Sequence, residues 1–217
     1  MKKHSKILLA VVCALMLVVG SVMGTLAYLT SVDSAVNTFT VGKVAITLDE
    51  AAVIQDGTFV TDHENRVKEN TYHLIPGHEY HKDPTVTVLK DSEAVYVRML
   101  VTVEDLDDLK AALPATYVEN NVFLLEKLVT GWDRNTWQVA SVNGNVYEFR
   151  YKEIVPKNTA ANTPLPELFT TISLPGAEIT NTELASLAEL QINVVAQAIQ
   201  ADGFNTADLA WAQFPTT

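Results

Sequence analysis

Three histidines and a glutamate crowd the stretch YHLIPGHEYHKDP, residues 72–84: His73, His78, Glu79 and His81. Imidazoles and carboxylates hold zinc, and a zinc ion with an open position activates water for hydrolysis. The helical form of such a site needs two histidines four residues apart on one face, with a glutamate beside the first. Here His78 and His81 are three apart, and no HExxH occurs in the chain. Pro76-Gly77 has the residue types of a type II turn over Ile75–His78. A hairpin across that turn sets Leu74 opposite Glu79 and His73 opposite Tyr80. His81 then points to the opposite face from Tyr80, because side chains alternate along a strand. The imidazoles diverge, and the stretch reads as a turn leading into a strand over Thr85–Leu89. No metal or other cofactor is assigned on this reading. Zinc at these histidines, or calcium on an acidic surface, are the ions an alternative would take.

Other catalytic machinery is equally unsupported. The chain has no G-x-S-x-G, no glycine-rich phosphate loop and no catalytic cysteine. The acids at 104, 105, 107 and 108 lack the ligand spacing and central glycine of a calcium loop. They suit the first turns of a helix, where the dipole favours negative charge.

The N-terminus speaks to destination. Lys2, Lys3 and Lys6 precede an apolar run from Ile7 to Met23, and small residues follow. That order is a secretory leader, expected to be a helix and to be cut after Ala27. Thr25 and Ala27 are the small recognition residues, and Tyr28 becomes the first mature residue. An uncleaved membrane anchor is the alternative, since about 17 apolar residues nearly suffice to span a bilayer. Cys13, the single cysteine, lies inside the leader, so the mature chain forms no disulfide. Loss of residues 1–27 removes three lysines and no acid, taking the net charge from −11 to −14. No basic patch offsets that charge, which argues against nucleic acid as a partner. No LPxTG motif occurs, so surface retention would be non-covalent or through a polymer.

The elements behind these residues are mostly strands. Val44, Ile46 and Leu48 alternate with polar or small residues, and Val95 to Val103 alternates over nine positions. Tyr147–Tyr151 and Ile192–Ile199 repeat the pattern. Asp56-Gly57 and Asn143-Gly144 are two-residue hairpin signals. Helices are few: Glu104–Leu113, one capped by Thr180 and Glu183 and running to Leu190, and one capped by Asn205 that carries Trp211 and Phe214. Asn121–Val129 is ambiguous between helix and strand. Trp132, Trp137 and Trp211 read as core or rim residues. The expectation is an all-β chain: an antiparallel, jelly-roll-like β-sandwich with a few short helical inserts, preceded by the signal helix. It divides into a leader (1–27), an N-terminal arm with the first strand (28–50) and one sandwich domain (51–217).

Three segments resemble a known family. GTLAYLTSVDSAVNTFTVGKVAITLDE (24–50), LIPGHEYHKDPTVTV (74–88) and EAVYVRMLVTV (93–103) are similar to the TasA and camelysin group of Gram-positive bacteria. The ending INVVAQAIQADGF resembles clostridial-type relatives, whereas 104–165 carries little signal. The resemblance implies export through a signal peptidase of the SipW type and a jelly-roll fold. It also implies assembly into biofilm-matrix fibres, the N-terminal strand of one subunit filling a gap in the next. The matching segment is Tyr28–Leu48, with Phe39, Val41, Val44, Ile46 and Leu48 as candidate strand-exchange contacts. Some members carry a metalloendopeptidase label, which keeps His73, His78, Glu79 and His81 as alternative metal ligands. A monomeric surface adhesin is a further alternative.

Overall fold

The computed structural model describes residues 11–17, 42–60, 63–176, 178–187 and 190–214. The chain divides into two compact units, Met1–Val41 and Gly42–Thr217. In the first, residues 11–17 form a helix, α1, with Leu15, Met16 and Leu17 exposed. Among the described residues no helix is long and apolar enough to cross a membrane. The cleavage residues Thr25, Ala27 and Tyr28 and the arm residues Phe39 and Val41 lie outside the described residues.

The second unit is mostly β, and its strands pair antiparallel. Its spine is β5, Val95–Val103, the long strand that alternation marked out. The odd positions Val95, Val97, Met99, Val101 and Val103 are completely buried and form the middle of the core. β5 lies between β13 (Ile192–Gln200) and β10 (Val146–Tyr151), and β9 (Trp137–Asn143) closes the sheet in the order β13-β5-β10-β9. Pairing sets Val194 opposite Val101 and Ala196 opposite Met99, so the apolar positions of β13 extend the same core face.

A second sheet runs β11-β4-β1-β2: Thr163–Pro164, Thr85–Val88, Ile46–Ala51 and Arg66–Val67. Val86 and Val88 of β4 enter the same core as β5, and Ile46 and Leu48 of β1 pack against it. β1 thus belongs to the folded unit. A third sheet has β12 (Thr171–Ser173) between β3 (Glu79–His81) and β8 (Val129–Thr130), and β6 (Val118–Glu119) pairs with β7 (Val122–Phe123).

Local chemistry explains most element ends and several departures. The β9–β10 connection is a two-residue primed turn, with Gly144 and Asn145 as its central residues. Gly144 takes φ 60, so the turn sits one residue later than Asn143-Gly144 suggests. Thr180 and Glu183 form the expected capping box on α3 (Asn181–Ser186). That helix ends short of Leu190, and Leu190 N–H donates to Leu187 C=O. α4 (Ala207–Trp211) is capped by Thr206, whose hydroxyl accepts from Leu209 N–H, and not by Asn205. α2 spans Leu106–Ala112 and buries Leu106 and Leu109. The ambiguous segment resolves into β7, a 3₁₀ turn at Leu125–Lys127 and the start of β8, each too short to show a period.

The even face of β5 is covered too. Arg98 is buried there, its Nε donating to Gln197 at 2.8 Å and its Nη1 lying 3.3 Å from Glu148. The Phe214 ring lies 4.1 Å from the guanidinium, and Trp211 packs against Tyr96. Burial alone would push the Glu148 carboxyl up, but hydrogen bonds and charge from Arg150 and Arg98 outweigh it and hold it below the ordinary value.

Two outcomes follow for stability. Met99→Ala should cost about 2–5 kcal/mol in urea unfolding, as a buried large-to-small change does, while Val139→Ala on the exposed edge stays near neutral. A carboxyl depressed in the folded state stabilises above its unfolded pKa, and that contribution disappears as pH falls through the folded value. Glu148→Gln should therefore cost about 1–3 kcal/mol at pH 7, and its deficit against the parent should narrow below about pH 4 in pH-dependent thermal melts.

Candidate functional site

The histidine stretch opens with the expected turn. Gly77 has φ 80, and His78 N–H donates to Ile75 C=O at 3.1 Å. No hairpin follows it. β3 pairs instead with β12, Tyr80 opposite Ile172 and Glu79 opposite Ser173. Gly77 N–H bonds Leu174 C=O, which carries the turn onto that neighbour. Leu74–Glu79 and His73–Tyr80 are therefore not strand partners. Tyr80 still reaches back through its hydroxyl, which donates to His73 C=O at 2.5 Å and accepts from Ile75 N–H at 2.6 Å.

The four sequence candidates separate. His73 lies with Ile54, Gln55, Asp56 and Ile75 around an open surface concavity of about 460 Å³. The His78 ring nitrogen Nε2 is 2.6 Å from Asp56 C=O. Glu79 Oε1 accepts from the Thr171 hydroxyl at 3.1 Å. His81 turns towards residues that sequence reasoning missed: His63 and Asp83. One ligand atom from each of His63, His81 and Asp83 lies within 4.8 Å of the others, and among the described residues this is the one such group. The sequence separation from His63 to His81 exceeds any local motif, so only the pattern H-K-D at 81–83 was available as a signal.

Folding builds this trio from three elements. His81 ends β3, Asp83 sits between β3 and β4, and His63 lies on the excursion between β1 and β2. Phe59 wedges beside both rings, 3.9 Å from His63 and 4.0 Å from His81, centroid to centroid. The His81 main chain is pinned, its N–H donating to Gly57 C=O and its C=O accepting from the Tyr72 hydroxyl. Burial pulls the His81 imidazole below its ordinary pKa. Asp83 opposes that effect, while His63 and Arg66 add to it.

Asp83 is held by a charged lattice. Its Oδ1 accepts from Ala51 N–H at 2.7 Å and its Oδ2 from Arg66 Nη1 at 2.6 Å. Arg66 also reaches Asp49 Oδ1 at 2.8 Å and both the Asp49 and Asp83 carbonyls. Beside it, Lys82 and Glu50 form a buried pair at 2.6 Å. β1, β2 and β4 are thus tied together where their ladders end.

The strand-exchange candidates also divide. Ile46 and Leu48 pair with Val88 and Val86 of β4 and pack half-buried against the core. They are members of the chain's own sheet, because their alternation matches the core face. Val44 precedes β1 and is exposed. The far side of β1 is only partly covered. β2 meets Glu50 and Ala51, and no described strand pairs with Ile46–Asp49 on that side. The Leu89–Ala45 hydrogen bond fixes the ladder phase, so Ile46 and Leu48 turn their backbone groups to the uncovered side. Lys68 Nζ caps the Leu48 carbonyl there. β13 runs close to β1 without pairing to it, and its only strand partner among the described residues is β5.

Against known proteins, no family model matches the chain, and no curated protein or solved structure proves similar.

Arg66→Met strands two carboxylates at the ends of β1 and β4. It should cost about 3 kcal/mol, the lower end for breaking a buried pair, because a quarter of the Arg66 side chain is exposed. Arg66→Lys should recover less than half of that in urea unfolding, since an ammonium cannot span both acids as the guanidinium fork does.

Proposed function

We propose that this chain is the subunit of an exported surface or biofilm-matrix fibre, with a jelly-roll sandwich that assembles by N-terminal strand exchange. The observation that carries the reading is the seam beside β1. Ile46 and Leu48 present outward backbone groups to a side without a partner strand among the described residues, the Leu48 carbonyl being capped there by Lys68, and β13, with β5 as its only strand partner among the described residues, runs close to β1. Unpaired N–H and C=O groups along an edge are a template for an incoming strand. The segment feeding β1 is Tyr28–Val41, whose Phe39 and Val41 alternate with Thr38 and Thr40 but stand one residue out of phase with Ile46 and Leu48, so they form an apolar set of their own.

Processing gates assembly on this reading. Before cleavage the apolar leader, Ile7 to Met23, holds the arm at the membrane. Cleavage after Ala27 by a SipW-type peptidase frees Tyr28 and its followers to enter a second copy. Retention at the cell surface then comes from the polymer. The negative surface, −14 after processing, keeps subunits apart at long range until a strand docks.

Electron microscopy of the chain beginning at Tyr28, beside the full chain, tests this directly. Filaments are expected from the processed form alone, and Val41→Asp should abolish them with an unchanged thermal melt. Monodisperse monomers of the processed chain by light scattering, across pH 5–8 and low to high salt, would overturn it.

A further inference from the structure

We infer that His63, His81 and Asp83 form a binding site for a zinc-class divalent transition-metal ion. A tetrahedral zinc ion with nitrogen and oxygen ligands at about 2.0–2.2 Å sets its ligand atoms roughly 3.4 Å apart. The three ligand atoms here already lie within 4.8 Å of one another. Closing the remainder takes up to about 1.4 Å, a shift open to His63, whose side chain is exposed and projects from the β1–β2 excursion. His81 and Asp83 supply the fixed half of the site, one at the end of β3 and the other buried beside it.

The surroundings are those of metal ligands. Asp83 has each oxygen oriented by a hydrogen bond, Oδ1 from Ala51 N–H and Oδ2 from Arg66, and each oxygen keeps a further lone pair for an ion. The Arg66 charge opposes a cation here, but its two carboxylate partners, Asp49 and Asp83, outweigh it. Arg66, Asp49 and Asp83 together carry one net negative charge next to two imidazoles. Two imidazoles and one carboxylate suit zinc and its first-row neighbours, and not calcium, which takes oxygen ligands. The exposed side of His63 leaves a fourth position to water.

An ion bound there joins the β1–β2 excursion to the β3–β4 junction, two segments that already meet at this point through the Phe59–His81 and His63–His81 ring contacts and through His81 N–H donating to Gly57 C=O. It acts as a clip on the flap that ends in β2, the strand covering the last residues of β1. The site is independent of the fibre reading: it binds its ion whether or not the subunit polymerises.

Calorimetric titration of zinc chloride into the full chain, stripped with chelator, tests the assignment. One equivalent is expected at micromolar affinity or tighter. His63→Ala, an exposed change that leaves the fold intact, should weaken binding at least tenfold, as should His81→Ala. His73→Ala and His78→Ala should leave it unchanged. Cobalt in place of zinc should give visible absorption of a tetrahedral centre that His63→Ala removes. No heat of binding, or equal affinity in the parent and His63→Ala, or a comparable loss in His73→Ala or His78→Ala, would overturn the site.

Discussion

Burial of β5 on both faces is the constraint on which the rest of the unit depends. A nine-residue strand with five completely buried odd positions cannot sit at an edge, so β13 and β10 must flank it and set the order of the larger sheet. The second sheet exists to cover the odd face, and Val86 and Val88 do so from β4. The even face holds Arg98, which water cannot serve. The chain therefore supplies Glu148, Gln197 and the Phe214 ring to it. With no cysteine beyond Cys13, cohesion rests on this burial and on hydrogen bonds.

Charge plays a second structural part where the ladders run out. At the end of β1 the main chain leaves its sheet, and Asp49 of β1 and Asp83, just ahead of β4, converge on Arg66. Replacing backbone pairing with a guanidinium fork lets the chain splay into the β1–β2 excursion without losing the sheet. The same fork aims the Asp83 carboxylate towards His63 and His81. One interaction thus closes a sheet edge and shapes a potential ligand.

Strands whose apolar positions repeat over many residues were legible in the sequence, β5 to its ends and β13 to within a residue, because period two leaves a long signal. Turn positions with a glycine at positive φ were legible to within a residue, as Gly144 shows. Segments of two or three residues, such as β6, β7 and β12, were not, since so few positions carry no period. In the histidine stretch the turn is legible, and whether a hairpin closes across it is not; β3 pairs elsewhere. The turn depends on Pro76-Gly77 alone, whereas the partner of β3 is chosen by β12, about ninety residues away.

By itself, then, the sequence determined the antiparallel β character, the central strand, the main turns, the capping box on α3 and the acidic charge. Each is a local property, set by side-chain periodicity, backbone φ or composition. Only the tertiary structure decided that β1 pairs with β4, that β13 borders β1 unpaired, and that His81 meets His63 and Asp83 and not His73 or His78. Those are contacts between segments distant along the chain, chosen by which apolar faces pack together and where ladders end, and no short motif encodes them.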